Sequence, residues 1–170
     1  MGRVSELTYT PVGATRCGDL PPRFRHLHYR TFLGTGAELY RRAGEAVLTF
    51  RMHGATGARV RTSGPRAEPG VRLTVGAGPL RVPCEVVWTA DDGDRTGFAY
   101  GTLPGHQASG EEAFLVEHDH RDRVWFTVTS YSRPARLLMR AGGPLAVVMQ
   151  HAYARLCGRA LKRLCTVKAA

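Results

Sequence analysis

The sequence predicts an α+β protein in which a curved antiparallel sheet of about six strands packs against a long C-terminal helix, with one further helix before the sheet. Three observations lead to this fold class. Apolar residues recur at spacings of three and four between residues 34 and 53, strand-like runs fill residues 58–132, and a second helical stripe occupies residues 135–165. We expect one domain over residues 1–170.

The N-terminal part is predicted to be an irregular arm over residues 1–33, followed by a helix over residues 34–53. The arm contains the basic aromatic run RFRHLHYR directly after two prolines. In the helix, Leu39, Val47 and Phe50 belong to one apolar face. Glycines after residue 53 are predicted to end this helix.

The predicted sheet rests on period-two alternation and on turn residues. Val71–Val75 alternates apolar and polar side chains, as a half-buried strand does. Asp91–Asp94 is typical of a tight turn, and short connections between successive strands indicate antiparallel pairing. The predicted strands are Ala58–Thr62, Val71–Val75, Cys84–Thr89, Thr96–Thr102, Ala113–His118 and Val124–Tyr131. After the sheet, the Gly-Gly-Pro run predicts a break in the C-terminal helix at residues 142–144.

Composition narrows the classes of function. The chain carries 24 Lys and Arg against 14 acids, a net charge of +10, and arginine supplies nearly all of the positive charge. Abundant Ala, Gly and Arg are typical of a high-GC bacterial genome. The arginines are scattered along the chain and form no known nucleic-acid-binding motif, so we do not expect nucleic-acid binding. No apolar run is long enough to span a membrane and no signal sequence is evident, so we expect a cytoplasmic protein. The sequence leaves the oligomeric state open.

No cofactor or metal is expected. The four cysteines form no CxxC pair, and we expect them to be reduced thiols. The HxH spacings at His26/His28 and His118/His120 have no third ligand nearby, which argues against a metal site. Neither a Walker loop nor a GxGxxG after a strand is present.

The segment GFAYGTLPGHQASGEEAFLV, Gly97–Val116, concentrates the chemistry of the chain. Two strand-like runs flank a polar stretch, and alternation directs Glu111 and Glu112 to opposite faces of a strand. If Phe114 faces the core, Glu112 becomes a buried carboxylate with a raised pKa, which suits acid–base chemistry. Whether Gly101–Gly110 closes a pocket or only joins two strands stays open.

The predicted catalytic group is Glu112, assisted by His106 or His53, with Tyr100 or Thr102 donating a hydrogen bond to a carbonyl. Arg51 or Arg133 would orient an anionic end of the ligand, although a basic residue at Arg51 also suits a helix C-terminus. The complete set of predicted ligand-binding residues is Arg51, His53, Trp88, Thr102, Glu111, Trp125 and Arg133.

Five segments resemble a bacterial and plant family known as domain of unknown function 1990. They are LTYTPVGATR, PPRFRHLHYRTFLGTG, FRMH, GFAYGTLPGHQASGEEAFLV and SRPA, and together they extend over almost the whole chain. The resemblance brings no catalytic residues with it. The predicted order of elements is similar to that of the helix-grip fold of the START and Bet v 1-like superfamily, and this analogy concerns the fold more than the function.

Two functions from different classes follow. In the first, the chain binds a small hydrophobic or amphipathic molecule between sheet and C-terminal helix, and its catalytic version performs an acid–base cyclisation or isomerisation. In the second, a non-catalytic peripheral protein docks to anionic lipid or to an acidic partner through its basic C-terminal helix and the RFRHLHYR arm.

Overall fold

The computed structural model describes residues 6–135 and 143–166, which form four helices and seven strands. The strands make one antiparallel sheet in the order β1-β7-β6-β5-β4-β3-β2. The elements are α1 Ala14–Cys17, β1 Arg25–Thr35, α2 Ala37–Leu48, α3 Arg51–Gly54, β2 Arg59–Thr62, β3 Arg72–Ala77, β4 Leu80–Asp92, β5 Arg95–Thr102, β6 Ala108–His118, β7 Arg123–Pro134 and α4 Gly143–Thr166.

The sheet is a meander from β2 to β7, and β1 pairs with β7 at its end. Register shifts occur in β1 between Phe32 and Gly34 and in β4 between Val86 and Trp88. Such irregularities bend a strand and increase its twist, so they help the sheet to curve. The predicted α+β class, the curved antiparallel sheet and the long C-terminal helix are therefore confirmed, with seven strands where about six were expected.

The prediction of an irregular arm over residues 1–33 is wrong for its last third, because Arg25–Thr35 forms strand β1. Its partners run from Arg25 opposite Ser132 to Thr35 opposite Arg123. As an edge strand, β1 tolerates exposed arginines and histidines that a central strand would not. Because of these charged residues, the sequence pattern did not predict a strand there. The sheet consequently begins at Arg25, before α2, rather than at residue 58.

The predicted helix over residues 34–53 is two helices, α2 and α3. They are separated at Phe50, whose backbone φ of 60° lies in the left-handed region while its side chain is buried. The turn redirects the chain, so that α3 presents Met52 and His53 to the core. The expected break at residues 142–144 and the short helix before it fall mainly outside the described residues; α4 itself begins at Gly143.

The sheet has two covered faces. Its inner face packs against α2, α3 and α4, and the largest hydrophobic cluster of the protein lies there. Its outer face is covered near Tyr131 by the segment before β1, through Tyr9 and Ala14. Because side chains alternate along each strand, neighbouring residues of the central strands belong to two different environments.

Helix α4 is buried only in its second half. Ala154, Cys157 and Leu161 are fully buried, whereas Leu145 and Met149 in the first half are exposed. A close approach to β1 depends on Gly158, since a Cβ there would lie 2.9 Å from the Tyr29 hydroxyl. Among the described helices, none combines the length and apolar character that a membrane-spanning segment needs.

Candidate functional site

Strand register places Glu112 and Phe114 on the inner face. Glu112 lies opposite Tyr100 on β5, and Phe114 lies opposite Phe98. Phe98 and Phe114 are fully buried in the main cluster. The Tyr100 hydroxyl donates a hydrogen bond of 2.9 Å to Oε2 of Glu112. The condition left open by the alternation argument, Phe114 in the core, is met, so Glu112 rather than Glu111 faces inward, while the catalytic role of Glu112 stays a prediction.

His53 reaches the same region from α3. Its ring is fully buried and meets Phe114 edge-on at 4.7 Å between ring centroids, with Tyr100 at 6.1 Å and Tyr153 at 6.4 Å. Neither ring nitrogen has a hydrogen-bond partner among the described residues. Burial lowers the pKa of His53 to about 4, so the imidazole is neutral at physiological pH and carries one unused donor and one unused acceptor.

Helix α4 contributes Tyr153, whose hydroxyl is buried and makes no hydrogen bond of standard geometry within the described part of the chain. The thiol of Cys157, one helical turn further on, is the polar group beside it. Burial raises the pKa of Tyr153, of Cys157 and of Cys84 on β4, so all three groups are protonated. We call His53, Tyr100, Glu112 and Tyr153 the inner polar cluster.

Glu112 is the titratable centre of this cluster. Part of the residue remains accessible to solvent, yet protein atoms crowd its carboxyl group closely enough that burial raises its pKa to about 7. The hydrogen bond from Tyr100 acts in the opposite direction and lowers the pKa, but burial outweighs it. Near neutrality the carboxyl group is therefore populated in both its protonated and its ionised form, as a general acid–base group requires.

Glu111, the preceding residue, lies on the outer face and is only 2% exposed. Six donors converge on its carboxylate: the backbone N–H of Gly13 at 2.6 Å and of Thr15 at 3.1 Å, the hydroxyls of Tyr9 at 2.8 Å, of Tyr131 at 3.2 Å and of Thr15, and Nε1 of Trp88 at 3.4 Å. We call Glu111 and these five residues the arm clamp. It holds the segment before β1 against the sheet, and it leaves the carboxylate little capacity to bind a ligand.

Three further predicted ligand-binding residues lie outside the inner polar cluster. Trp88 belongs to the arm clamp, where its Nε1 also donates to Thr15 at 3.0 Å. Thr102 is buried and bonds through its hydroxyl to Thr8 at 2.6 Å. Trp125 lies at the surface, with the Arg30 guanidinium 4.2 Å from its ring. Alternation places Trp125 on the outer face opposite Glu117, and the register shift between Val86 and Trp88 turns Trp88 to the same face. Thr102 has the parity of Tyr100, but at the end of β5 its hydroxyl meets the N-terminal segment instead of the inner polar cluster.

His106 and Arg133 line a cavity of about 630 Å3 at one end of the sheet, together with Thr8 and Ser109. Nδ1 of His106 accepts the backbone N–H of Ala108 at 2.8 Å, and burial lowers its pKa to about 4. Across the described chain, His106 makes no hydrogen bond to Glu112 or Tyr100, so the predicted catalytic trio is divided.

The β5–β6 connection is short. Strand β5 extends to Thr102 and β6 begins at Ala108, so residues 103–107 alone form the loop. The loop therefore joins two strands of the sheet, and its Gly105 and His106 contribute to the wall of the cavity at the sheet end. The guanidinium of Arg133, across that cavity, lies 5.1 Å from the Phe24 ring.

Arg51 does not pair with Glu112. It is exposed and lines a groove of about 520 Å3 between α2, α3 and α4, whereas His53, two residues later, is fully buried. The short helix α3 thus directs these two residues to different environments. Because α3 has only four residues, Arg51 is its first residue and also lies in its last turn, as the helix C-terminus interpretation requires.

The sequence argument missed Tyr153 as a member of the inner polar cluster. Its signal was an aromatic residue with a polar tip in the apolar stripe of the C-terminal helix, one turn before Cys157. Metal chemistry finds no support in the described ranges 6–135 and 143–166, where no group of three or more His, Cys, Asp or Glu could hold an ion. His118 bonds to Asp122 at 2.7 Å instead.

Comparison with known proteins places the fold among helix-grip structures. The crystal structure of norcoclaurine synthase from Thalictrum flavum, in complex with dopamine and hydroxybenzaldehyde, is similar with a TM-score of 0.61. The similarity covers 98% of this chain and 100% of that one, at 13% sequence identity. At this level of identity the likeness concerns the fold alone.

Two relatives have a higher sequence identity to this chain than norcoclaurine synthase has. A UPF0548 protein from Deinococcus radiodurans is 32% identical over 173 residues, covering 92% of this chain and 86% of the relative. A UPF0548 protein from Arabidopsis thaliana is 30% identical over 139 residues, covering 75% of this chain and 67% of the relative. Residues 8–160 match the family described as Domain of unknown function (DUF1990), and the chain belongs to that family.

Proposed function

We propose that this protein binds a small hydrophobic or amphipathic molecule between the sheet and α4, with a polar group of that molecule against the inner polar cluster. One observation carries the proposal: the nitrogens of His53 have no hydrogen-bond partner among the described residues and lie in the same apolar interior as the Tyr100–Glu112 pair. The Tyr153 hydroxyl lies in that interior too, with the Cys157 thiol beside it. Such groups supply the few polar contacts that orient a ligand in a mostly apolar site.

The energetic argument starts from the cost of unpaired polar groups. A buried donor or acceptor without a partner costs about 1–3 kcal/mol, and native interiors contain few of them. An apolar residue at position 53 would avoid this cost among Phe98, Phe114 and Tyr100. A ligand carbonyl or hydroxyl that bonds to His53 or Tyr153 would remove the penalty and gain affinity from it.

Glu112 is the residue that would carry out acid–base catalysis at this site. With a pKa of about 7, its ionised form can remove a proton from a carbon next to a ligand carbonyl, and the same group can return that proton to a second carbon. The result is an isomerisation without net change in protons. An N–H of neutral His53 or the Tyr100 hydroxyl would donate to the oxygen on which negative charge develops.

The norcoclaurine synthase structure supports the ligand class at the level of the fold, since that protein holds dopamine and hydroxybenzaldehyde. In the present chain the first half of α4 is largely exposed, and Glu112 as a residue is not fully enclosed. Both features support entry of a ligand between α4 and the sheet.

The test compares His53→Leu, Glu112→Gln and the control Glu117→Gln, a surface residue of the same strand. Native mass spectrometry would identify molecules that co-purify with the chain, and titration with the apolar probe 1-anilinonaphthalene-8-sulfonate would measure interior binding. We expect His53→Leu to raise the free energy of unfolding by about 1 kcal/mol or more while it lowers ligand retention, because an unpaired polar group is replaced. Unchanged ligand and probe binding in both inner variants would overturn the proposal.

A further inference from the structure

A groove on the outer side of the helices gathers four arginines. Arg41 and Arg42 come from α2, Arg51 from α3 and Arg163 from α4. We call this the arginine groove, and we propose that it is a binding site for a phosphate-bearing ligand. The site lies apart from the inner polar cluster, and the proposal does not depend on the function proposed for that cluster.

The floor of the arginine groove is apolar and made largely of small residues. Ala46, Ala55, Ala160 and Leu164 line it between the three helices, and its volume is about 520 Å3. Small side chains let the helices approach while leaving a concave surface between the arginines. A ligand with a short apolar portion next to its anionic group would match both parts of this surface.

Two of the arginines are braced by the protein. Arg42 donates to the backbone carbonyl of Leu164 at 3.3 Å near the end of α4, and Arg163 donates to the carbonyl of Ala55 at 3.2 Å just after α3. These bonds satisfy carbonyls at helix C-termini and fix the guanidiniums at the groove. The walls are thus held in place before any ligand arrives, which reduces the entropy lost on binding.

The carboxylates at the groove do not balance its arginines. Glu45 is the acidic residue in the lining, and it already pairs with Arg66 at 2.7 Å. Arg41 pairs with Glu38 at 2.8 Å, with both side chains largely exposed. Within the described residues, Arg51 has neither a hydrogen bond nor an ion pair. The groove therefore keeps an excess of positive charge, which attracts anions.

Guanidinium groups are well suited to bind phosphate. Their planar forks donate two parallel hydrogen bonds to phosphate oxygens, whereas a single ammonium acts as a point charge. Exposed Arg41 and Arg51 are able to turn towards a ligand between the two braced arginines. The phosphate could belong to a soluble metabolite or to a lipid headgroup, and both sources present the same chemistry to the groove.

The experiment uses the full chain and the double variant Arg41→Gln/Arg51→Gln. Both side chains are exposed, so the fold should be retained. The control Arg81→Gln/Arg121→Gln removes the same charge at exposed positions elsewhere. Isothermal titration calorimetry with pyrophosphate, at about 0.1 M salt, tests the soluble source. Sedimentation with phosphatidylcholine vesicles, with and without phosphatidic acid, tests the lipid source.

We expect pyrophosphate, the phosphatidic acid vesicles or both to bind, with an affinity at least about tenfold lower in the groove variant, because charge-assisted hydrogen bonds are lost. The control variant should stay within about twofold of the original chain, since distant exposed charges are screened. Pyrophosphate binding would assign a soluble ligand, and vesicle binding alone would assign a headgroup. Binding of neither probe, or equal losses in the groove and control variants, would overturn the proposal.

Discussion

Glu111 and Glu112 are consecutive glutamates on one strand, and the sheet places them in opposite environments. Glu111 accepts hydrogen bonds from six donors on the outer face, whereas Glu112 has one hydroxyl partner on the inner face and lies near groups that have none. The difference shows that burial alone does not identify a functional carboxylate. A fully satisfied one stabilises the fold, and an under-satisfied one has capacity left for a ligand.

The first prediction from this comparison is that removing the Glu111 side chain lowers the stability of the fold more than removing that of Glu112. In Glu111→Ala the two backbone N–H groups of the arm and the surrounding hydroxyls lose their acceptor. We expect the free energy of unfolding to fall by about 3–5 kcal/mol, as when one partner of a buried charged network is deleted. Urea denaturation measures it, with Glu117→Ala as the surface control. A loss below about 1 kcal/mol would show that water replaces the carboxylate easily.

The second prediction concerns the pH dependence that Glu112 imposes. Its pKa is raised from 4.5 to about 7 in the folded protein, so folding favours the protonated carboxyl. The stability that it contributes is complete below pH 4.5, decreases as pH rises, and is lost above about 7. The total change is on the order of 3 kcal/mol.

The pKa of His53 is shifted in the opposite direction, so its contribution to stability changes with pH in the opposite sense. The measurement therefore compares the original chain with a variant that lacks the Glu112 carboxyl group. Its pKa is lowered from 6.5 to about 4, so its contribution is present above pH 6.5 and is lost as pH falls towards 4. The two effects partly cancel in the original chain between pH 4.5 and 6.5. The free energies of unfolding of the chain and of Glu112→Gln should therefore diverge from pH 4.5 to about 7 and keep a constant difference up to pH 8, while that of Glu117→Gln runs parallel to the original chain. Parallel curves for Glu112→Gln would mean that its carboxyl group titrates normally.

Alternation alone could assign the two glutamates to opposite faces, because Phe114 identifies the core side two residues after Glu112. The function of Glu111 was beyond that argument. Four of its six donors come from residues 9–15, which are about a hundred positions away and have no periodic signal. Likewise, β1 was hidden because its charges are acceptable only at a sheet edge, a position that the sequence does not specify.

The inner polar cluster also shows how far its residues could be predicted from the sequence. An inward-facing His53 was one of two alternatives, and the residue is buried in the interior. Tyr153 was not distinguished from the apolar pattern of the C-terminal helix. An aromatic residue fits such a stripe whether or not its hydroxyl finds a partner, so periodicity cannot distinguish the two cases. Local patterns thus predicted faces, whereas the pairing of polar atoms depended on contacts between distant elements.

The third prediction perturbs the arm clamp without touching its carboxylate. Gly101 lies opposite Glu111 in the sheet, and a Cβ there would overlap the Tyr9 hydroxyl and lie 2.8 Å from Cδ2 of Leu7. In Gly101→Ala we expect Tyr9 to be displaced from Glu111, at a cost of about 1–3 kcal/mol. Limited proteolysis should then cleave the segment before β1 faster, because that segment loses its anchor.

The Gly101→Ala variant also distinguishes the two faces. If the outer face holds the arm and the inner face holds the ligand, probe binding at the inner polar cluster should survive when the arm is loosened. The control Gly93→Ala places its methyl group in open space at the β4–β5 turn. Cleavage of both variants at the same rate would contradict the clamp. Loss of probe binding in Gly101→Ala at temperatures well below its unfolding would show that the faces are coupled, and that the arm then supports the inner site through the strands that carry both glutamates.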